Sequence, residues 1–127
     1  MILVFYWGLA PSLLVQQSSN LTITKHILLE DRKSINGLEV SLDLGRMNWH
    51  EAKIACKKLG TGWRLPTKDE LNMLYENKEE IGGFANLTYW SSSEYDNFNA
   101  WSQYFSLGLQ FCPTKVNYNY VRAVRAS

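Results

Sequence analysis

Gly62-Trp63-Arg64-Leu65-Pro66-Thr67, with Glu70-Leu71 just beyond it, is the stretch on which the reading of this chain turns. Pro66 then Thr67 reads as a helix entry. A threonine hydroxyl accepts from the orphan N–H groups of a first turn, and Glu70, three residues on, reaches back to the cap. Leu71, Leu74 and Tyr75 follow on the buried side, and Gly82-Gly83 stops the pattern. Upstream, Asn48 and Glu51 form a second capping pair. Trp49, Ala52, Cys56 and Leu59 then recur at steps of three, four and three, and Gly60 ends that helix. Cys56 falls on the apolar stripe, where a thiol packs as a small hydrophobe rather than acting as a nucleophile. His50 falls in the exposed first turn, with no acid or second histidine placed by sequence to orient it.

Ahead of these helices Leu38, Val40, Leu42 and Leu44 alternate with Glu39, Ser41 and Asp43, the period of a half-buried strand. Leu21 to Leu29, with β-branched Thr22, Ile23 and Thr24, reads as its hairpin partner across turn residues Asp31 to Gly37. Met1 to Val15 is apolar, but no Lys or Arg precedes it and no small-x-small cleavage site follows. Pro11 breaks it as a helix, and it falls short of the roughly 20 residues of a membrane span. It reads either as a poorly started signal segment or as a buried terminal strand or apolar arm. Asn20-Leu21-Thr22 and Asn86-Leu87-Thr88 match the glycosylation triplet, a short pattern that often arises by chance.

At 127 residues the chain is sized for one domain, and its formal charge of +1 gives no electrostatic argument for nucleic acid, which requires a clustered cationic surface. Two cysteines without metal-ligand spacing make a structural metal improbable. The aromatics are unevenly placed. Tyr89 to Ser127 carries ten of the 17 aromatics and only five of the 25 charged residues, and it is rich in Ser and Asn. That composition fits an adaptable contact surface, where rings supply rigid area and small polar side chains supply hydrogen bonds. It fits a β-rich core segment equally well.

Four pieces in order carry a resemblance: Met47-Asn48-Trp49 through Cys56, the stretch from Gly62 to Leu71, Tyr89-Trp90-Ser91-Ser92-Ser93, and Val121-Arg122-Ala123-Val124-Arg125. Together they resemble a bacterial C-type-lectin-like domain of the family of the Legionella collagen-like adhesin C-terminal domain, over roughly residues 37–127. The resemblance implies an α+β fold with two helices packed on a twisted mixed or antiparallel sheet. Residues 1–36 lie outside it and read as an apolar arm or strand and a first hairpin strand. Related domains often place a cysteine in the final strand. Here Ala123 stands there, which puts that disulfide in doubt and leaves Cys56 reduced and buried.

The last third, about 89–126, is similar to the variable proteins of diversity-generating retroelements, especially those of gut Bacteroides and their phages. This implies a fixed frame of Tyr89 to Tyr95, Asn99-Ala100-Trp101, Gln103, Phe105, Gly108, Gln110, Lys115 and Val121 to Ala126. Between these lie positions rewritten by adenine-directed mutagenesis, the expected ligand-binding residues: Asp96, Asn97, Phe98, Ser102, Tyr104, Ser106, Leu107, Leu109, Phe111, Cys112, Pro113, Thr114, Val116, Asn117, Tyr118, Asn119 and Tyr120. Rewriting only the adenines of AAY codons never yields Lys, Glu, Gln, Met or Trp. None of those occurs in the set, whereas Glu94, Trp101, Gln103, Gln110 and Lys115 stand in the frame. Cys112 is then one drawn side chain.

Strand period puts Trp101, Gln103 and Phe105 on one face and Ser102, Tyr104 and Ser106 on the other, so frame and rewritable positions are expected to part between inside and outside. Truncating a buried Trp101 or Phe105 to Ala should cost about 3–5 kcal/mol. An outward Ser102 or Tyr104 should be replaceable within about ±0.5 kcal/mol. Arg122 and Arg125 either bind an anion or pair with local acids to lock the last strand.

The resulting expectation is a non-catalytic module that binds a surface protein or glycan, at a cell surface or a phage tail tip. No cofactor, metal, nucleic acid or integral membrane segment is expected. Phe98, Tyr104, Phe111, Tyr118 and Tyr120 are its hot-spot candidates. One alternative is a non-diversified adhesin module. Another is a relative of the formylglycine-generating oxidases, whose chemistry needs paired reactive cysteines. A calcium-dependent sugar lectin would need a Glu-Pro-Asn or Gln-Pro-Asp motif with Trp-Asn-Asp downstream, and the chain has neither.

Overall fold

The computed structural model describes residues 33–127. The expected strand at Leu21 to Leu29, the apolar segment Met1 to Val15 and the Asn20 triplet lie outside the described residues. Strand β1 (Lys33–Ile35) and strand β2 (Leu38–Met47) form the first hairpin. Its turn is Asn36-Gly37, both at positive φ (48° and 81°), the backbone that matches the twist of a two-residue hairpin loop. This corrects the sequence expectation. Lys33–Ile35 lies inside what read as turn, because a three-residue strand is too short to show a period.

Helix α1 (Trp49–Lys57) starts at Asn48 and helix α2 (Lys68–Glu76) at Thr67, each with a complete reciprocal capping box to Glu51 and Glu70. A one-turn helix α3 (Lys78–Ile81) precedes Gly82. Strands β3 (Thr88–Glu94), β4 (Ala100–Tyr104), β5 (Gln110–Phe111) and β6 (Asn119–Ala126) complete a six-stranded sheet of order β1-β2-β6-β3-β4-β5. Every pairing is antiparallel except β3 with β6, so the sheet is mixed. The final strand lies against β2, as expected of the hairpin and the Val121 to Arg125 segment.

Gly62 to Thr67 sits at the junction. Arg64 exchanges both backbone hydrogen bonds with Val124, and the Pro66 carbonyl accepts from Ser92 N–H at 2.7 Å. Trp63, Leu65 and Pro66 are buried. Arg64 grips both carboxylate oxygens of Glu70 at 2.6 and 2.9 Å, so the capping glutamate also ties the segment to α2.

The sheet is covered on both faces. Trp90, Val121 and Ala123 pack with Trp49, Ala52 and Cys56 of α1, while Tyr89, Phe105 and Val124 pack with Leu71 and Leu74 of α2. Trp90 and Tyr89, adjacent in β3, therefore serve opposite cores. Arg125 pairs with Glu39 at 2.9 Å, as one reading of the last strand held. Among the described residues Arg122 forms no ion pair: its guanidinium donates to the carbonyls of Ser41 and Gly82 and lies over the Phe84 ring.

Candidate functional site

Two segments meet at the start of β4, and a third forms the turn at the far end of the β4–β5 pair. In the first, Tyr95 to Asn99, the Asp96 carboxylate accepts from the N–H groups of Phe98 and Asn99 at 2.8 Å each. This side-chain turn leaves Phe98 76% exposed. The second, Cys112 to Tyr118, is zipped to the first through the backbone. Lys115 N–H donates to the Phe98 carbonyl, Ala100 N–H to the Pro113 carbonyl, and the Asn99 amide to the Cys112 carbonyl. The third is the turn Phe105 to Leu109, closed by Gly108 N–H on the Tyr104 carbonyl and Tyr104 N–H on the Leu109 carbonyl. Gly108 has φ 82°, and a Cβ there would fall 2.6 Å from the Tyr75 ring.

Beneath the segments lie frame residues. The Lys115 side chain is buried, and its ammonium donates to Glu94 at 2.5 Å and to the Asn97 carbonyl at 3.0 Å and sits over the Trp49 ring. That hydrogen bond holds the exposed Glu94 carboxyl below its ordinary range. Gln103 is fully buried. Its amide donates to Asn72 Oδ1 at 2.9 Å and the Gly108 carbonyl at 3.0 Å, while Gln110 donates to Gln103 Oε1 and to the Lys68 carbonyl. The two glutamines thus fasten β4, β5 and the third turn to α2.

Of the residues expected to bind ligand, Asp96, Asn97, Phe98, Ser106, Leu107, Leu109, Phe111, Thr114, Val116, Asn117 and Tyr118 are exposed. Tyr104, Cys112, Pro113, Asn119 and Tyr120 are half-buried, and Tyr120 packs partly against the Tyr89 ring. Ser102 is a correction: it is 1% exposed, opposite Trp90 and Phe111 in register, and its hydroxyl has no partner. Trp101 is another, since it is half-exposed, held between the Lys68 ammonium and the Tyr95 ring rather than in a core. Ser102 lies opposite Trp90 of the α1 core, so on a sheet covered on both faces pointing away from α2 is not pointing to water. Trp101 lies beside Lys68 at the start of α2, which covers it only in part.

Sequence reasoning missed two frame residues that shape the surface. Tyr95 is 64% exposed amid the residues expected to bind ligand, and Lys115 anchors two loops from below. The signal for Lys115 was present: with Glu94 it forms an opposite-charge pair in a tail nearly empty of charge. The cysteines lie apart in role. Cys56 is free and buried in the α1 core, where burial pushes its thiol up to about 12, and Cys112 is free and half-buried. Among the described residues no three His, Cys, Asp or Glu side chains gather as a metal site would require, and no helix is long and apolar enough to cross a membrane.

The family model of the Lcl C-terminal domain matches residues 16–125. The chain belongs to that family. The match to the Lcl C-terminal domain begins upstream of residue 37, where the resemblance read from the sequence begins. No curated protein matches the chain. Among solved structures, it is similar to EMS16, an antagonist of the collagen receptor integrin alpha2beta1, with a TM-score of 0.59 and 10% identity over 76% of this chain and 98% of that one. Botrocetin gives 0.57 and 13% over 76% and 97%. Ovocleidin-17 of the Gallus gallus eggshell calcified layer gives 0.54 and 12% over 76% and 97%. At these identities the likeness carries the fold, and this Lcl C-terminal domain is an α+β C-type-lectin-like domain.

Proposed function

We propose that this domain is a non-catalytic binding module whose exposed loop positions are rewritten by a diversity-generating retroelement, and that its partner is a protein on a cell surface. One observation carries the reading. Eleven of the positions reachable by AAY rewriting are exposed, while Tyr89, Trp90, Gln103, Phe105 and Lys115 of the frame are buried beneath them. A scaffold that must survive side-chain replacement needs this division, because surface changes away from structural features stay within about ±0.5 kcal/mol. Phe98, Phe111 and Tyr118 are the aromatic anchors that stand out, with Asn and Ser as adaptable neighbours. The integrin antagonism named for EMS16 supports a protein partner and an extracellular setting.

The fate of the thiols favours binding over oxidase chemistry. A thiol held near 12 in an apolar core supplies no thiolate, so Cys56 should resist a thiol reagent in the folded chain. The deciding test is the gene's surroundings and its siblings. The expected result is a reverse-transcriptase gene with a near-identical template repeat of the codons for Tyr89 to Ala126, and siblings that differ only at the rewritable positions. Siblings that vary as often at Trp90, Phe105 and both helices would overturn the diversification and leave a lectin-like adhesin module.

A further inference from the structure

A cleft opens where three strand ends meet. Strand β2 finishes at Met47, β6 begins at Asn119 and β3 begins at Thr88, with Arg46 and Tyr89 both registered on Tyr120. Its walls are Arg46, Leu87, Thr88, Tyr118, Asn119 and Tyr120, and its volume is about 220 Å³. That is smaller than the roughly 300–1,000 Å³ of a small-molecule site, so it suits one side chain rather than a cofactor.

Its chemistry is specific. Arg46 is exposed and forms no ion pair among the described residues; its guanidinium lies 5.9 Å from the centre of the Tyr120 ring. The carboxylate nearest in sequence, Asp43, is occupied by the Tyr89 hydroxyl and the Gly45 N–H. Asn119 holds a buried amide nitrogen with no partner. Tyr118 and Leu87, 57% and 48% exposed, offer apolar area beside these donors. A planar guanidinium matches a carboxylate in a bidentate pair, and the apolar flank would cover the methylene stem behind it. No second cation lines the cleft, so a polyanion gains nothing over a single carboxylate.

We infer that this cleft receives one glutamate or aspartate side chain of the protein partner. Arg46 pairs with its carboxylate, and Tyr118 and Leu87 cover its stem. The inference rests on the proposed binding function and sharpens it. Arg46, Leu87 and Thr88 lie outside the rewritable positions and Tyr118 to Tyr120 lie within them, so a constant cation meets walls that differ between siblings.

The test is an NMR titration of the full chain, following arginine Nε–Hε and backbone amide signals, with N-acetyl-glutamate methylamide and N-acetyl-glutamine methylamide as probes. Saturable shifts at Arg46 and Asn119 with the glutamate probe, weakened about tenfold with the glutamine probe and in Arg46→Gln, are expected. Tyr118→Ala should weaken binding while the Arg46 signal still moves. Equal responses to both probes, an unchanged Arg46→Gln, or an equal response to inorganic sulfate at the same concentration would overturn the carboxylate site. The two readings fail separately. A partner protein held through Phe98 and Phe111 with a silent Arg46 removes only the carboxylate site, whereas a responsive Arg46 in a chain whose siblings share no rewritable positions removes only the diversified patch.

Discussion

Lys115 donates to Glu94 from below at 2.5 Å while its own backbone N–H holds the Phe98 carbonyl, so one buried cation fastens both loops that carry the exposed aromatics. Replacing it with Met keeps the stem over Trp49 but leaves the Asn97 carbonyl without its donor. Lys115→Met should therefore lose about 1–3 kcal/mol in urea unfolding. Glu94→Gln should lose less, because that carboxylate is exposed and solvent replaces the partner.

Ser102 should be dispensable in one direction only. Its hydroxyl is buried and unpaired, so Ser102→Ala should be neutral or stabilising by about 1 kcal/mol. Ser102→Tyr has no room opposite Trp90 and should cost about 1–3 kcal/mol or more. Denaturant midpoints of the two variants against the parent decide it. A tolerated Tyr would mean that β4 yields more readily than its burial implies.

Frame and patch should separate in a mutational series. Phe105→Ala, in the core with Tyr89 and Leu74, should cost about 3–5 kcal/mol. Phe98→Ser and Val116→Ser, both exposed, should stay within about ±0.5 kcal/mol. Thermal or urea unfolding of the three single variants measures the contrast.

Gly108→Ala should destabilise by about 1–2 kcal/mol from its positive φ alone, and by more if Tyr75 cannot swing away from the new Cβ. Tyr75→Ala in the same chain removes the clash but not the backbone strain. A double-variant cycle between the two positions should therefore show coupling.

Acid should loosen the junction segment. The hydrogen bond from Arg64 holds the Glu70 carboxyl below its ordinary value, and that from Lys115 does the same for Glu94. A carboxyl depressed in the folded state contributes stability above its unfolded pKa of about 4.3, and this contribution is lost as pH falls through the depressed value. Stability should decline across that window, and Glu70→Gln should flatten the decline in unfolding curves recorded at successive pH values.

The helices were legible because capping is local. Asn48 with Glu51 and Thr67 with Glu70 meet within one turn, and the structure closes both boxes. The stripe that placed Cys56 inward is equally local. The proposed division of the tail into frame and rewritable residues draws on the family resemblance and on codon reach, which is a property of residue identity. Position 102 and Trp101 were misplaced because their fate depends on what covers each face of β4, and those partners lie tens of residues away in α1 and α2.

By itself, then, the sequence determined two capped helices and an alternating strand, features set by neighbours within a few positions, and a family carried by motifs in order along the chain. Only the tertiary structure decided that the sheet is buried on both sides, that Lys115 lies under two joined loops and that two glutamines tie the β4–β5 turn to α2. It also decided that Arg46, at the end of β2, faces Tyr118 to Tyr120 across a cleft. Those outcomes depend on which strands become neighbours, and the order β1-β2-β6-β3-β4-β5 brings together residues more than seventy positions apart. No periodicity within a segment encodes that adjacency, because it is set by burying two apolar faces of one sheet at once.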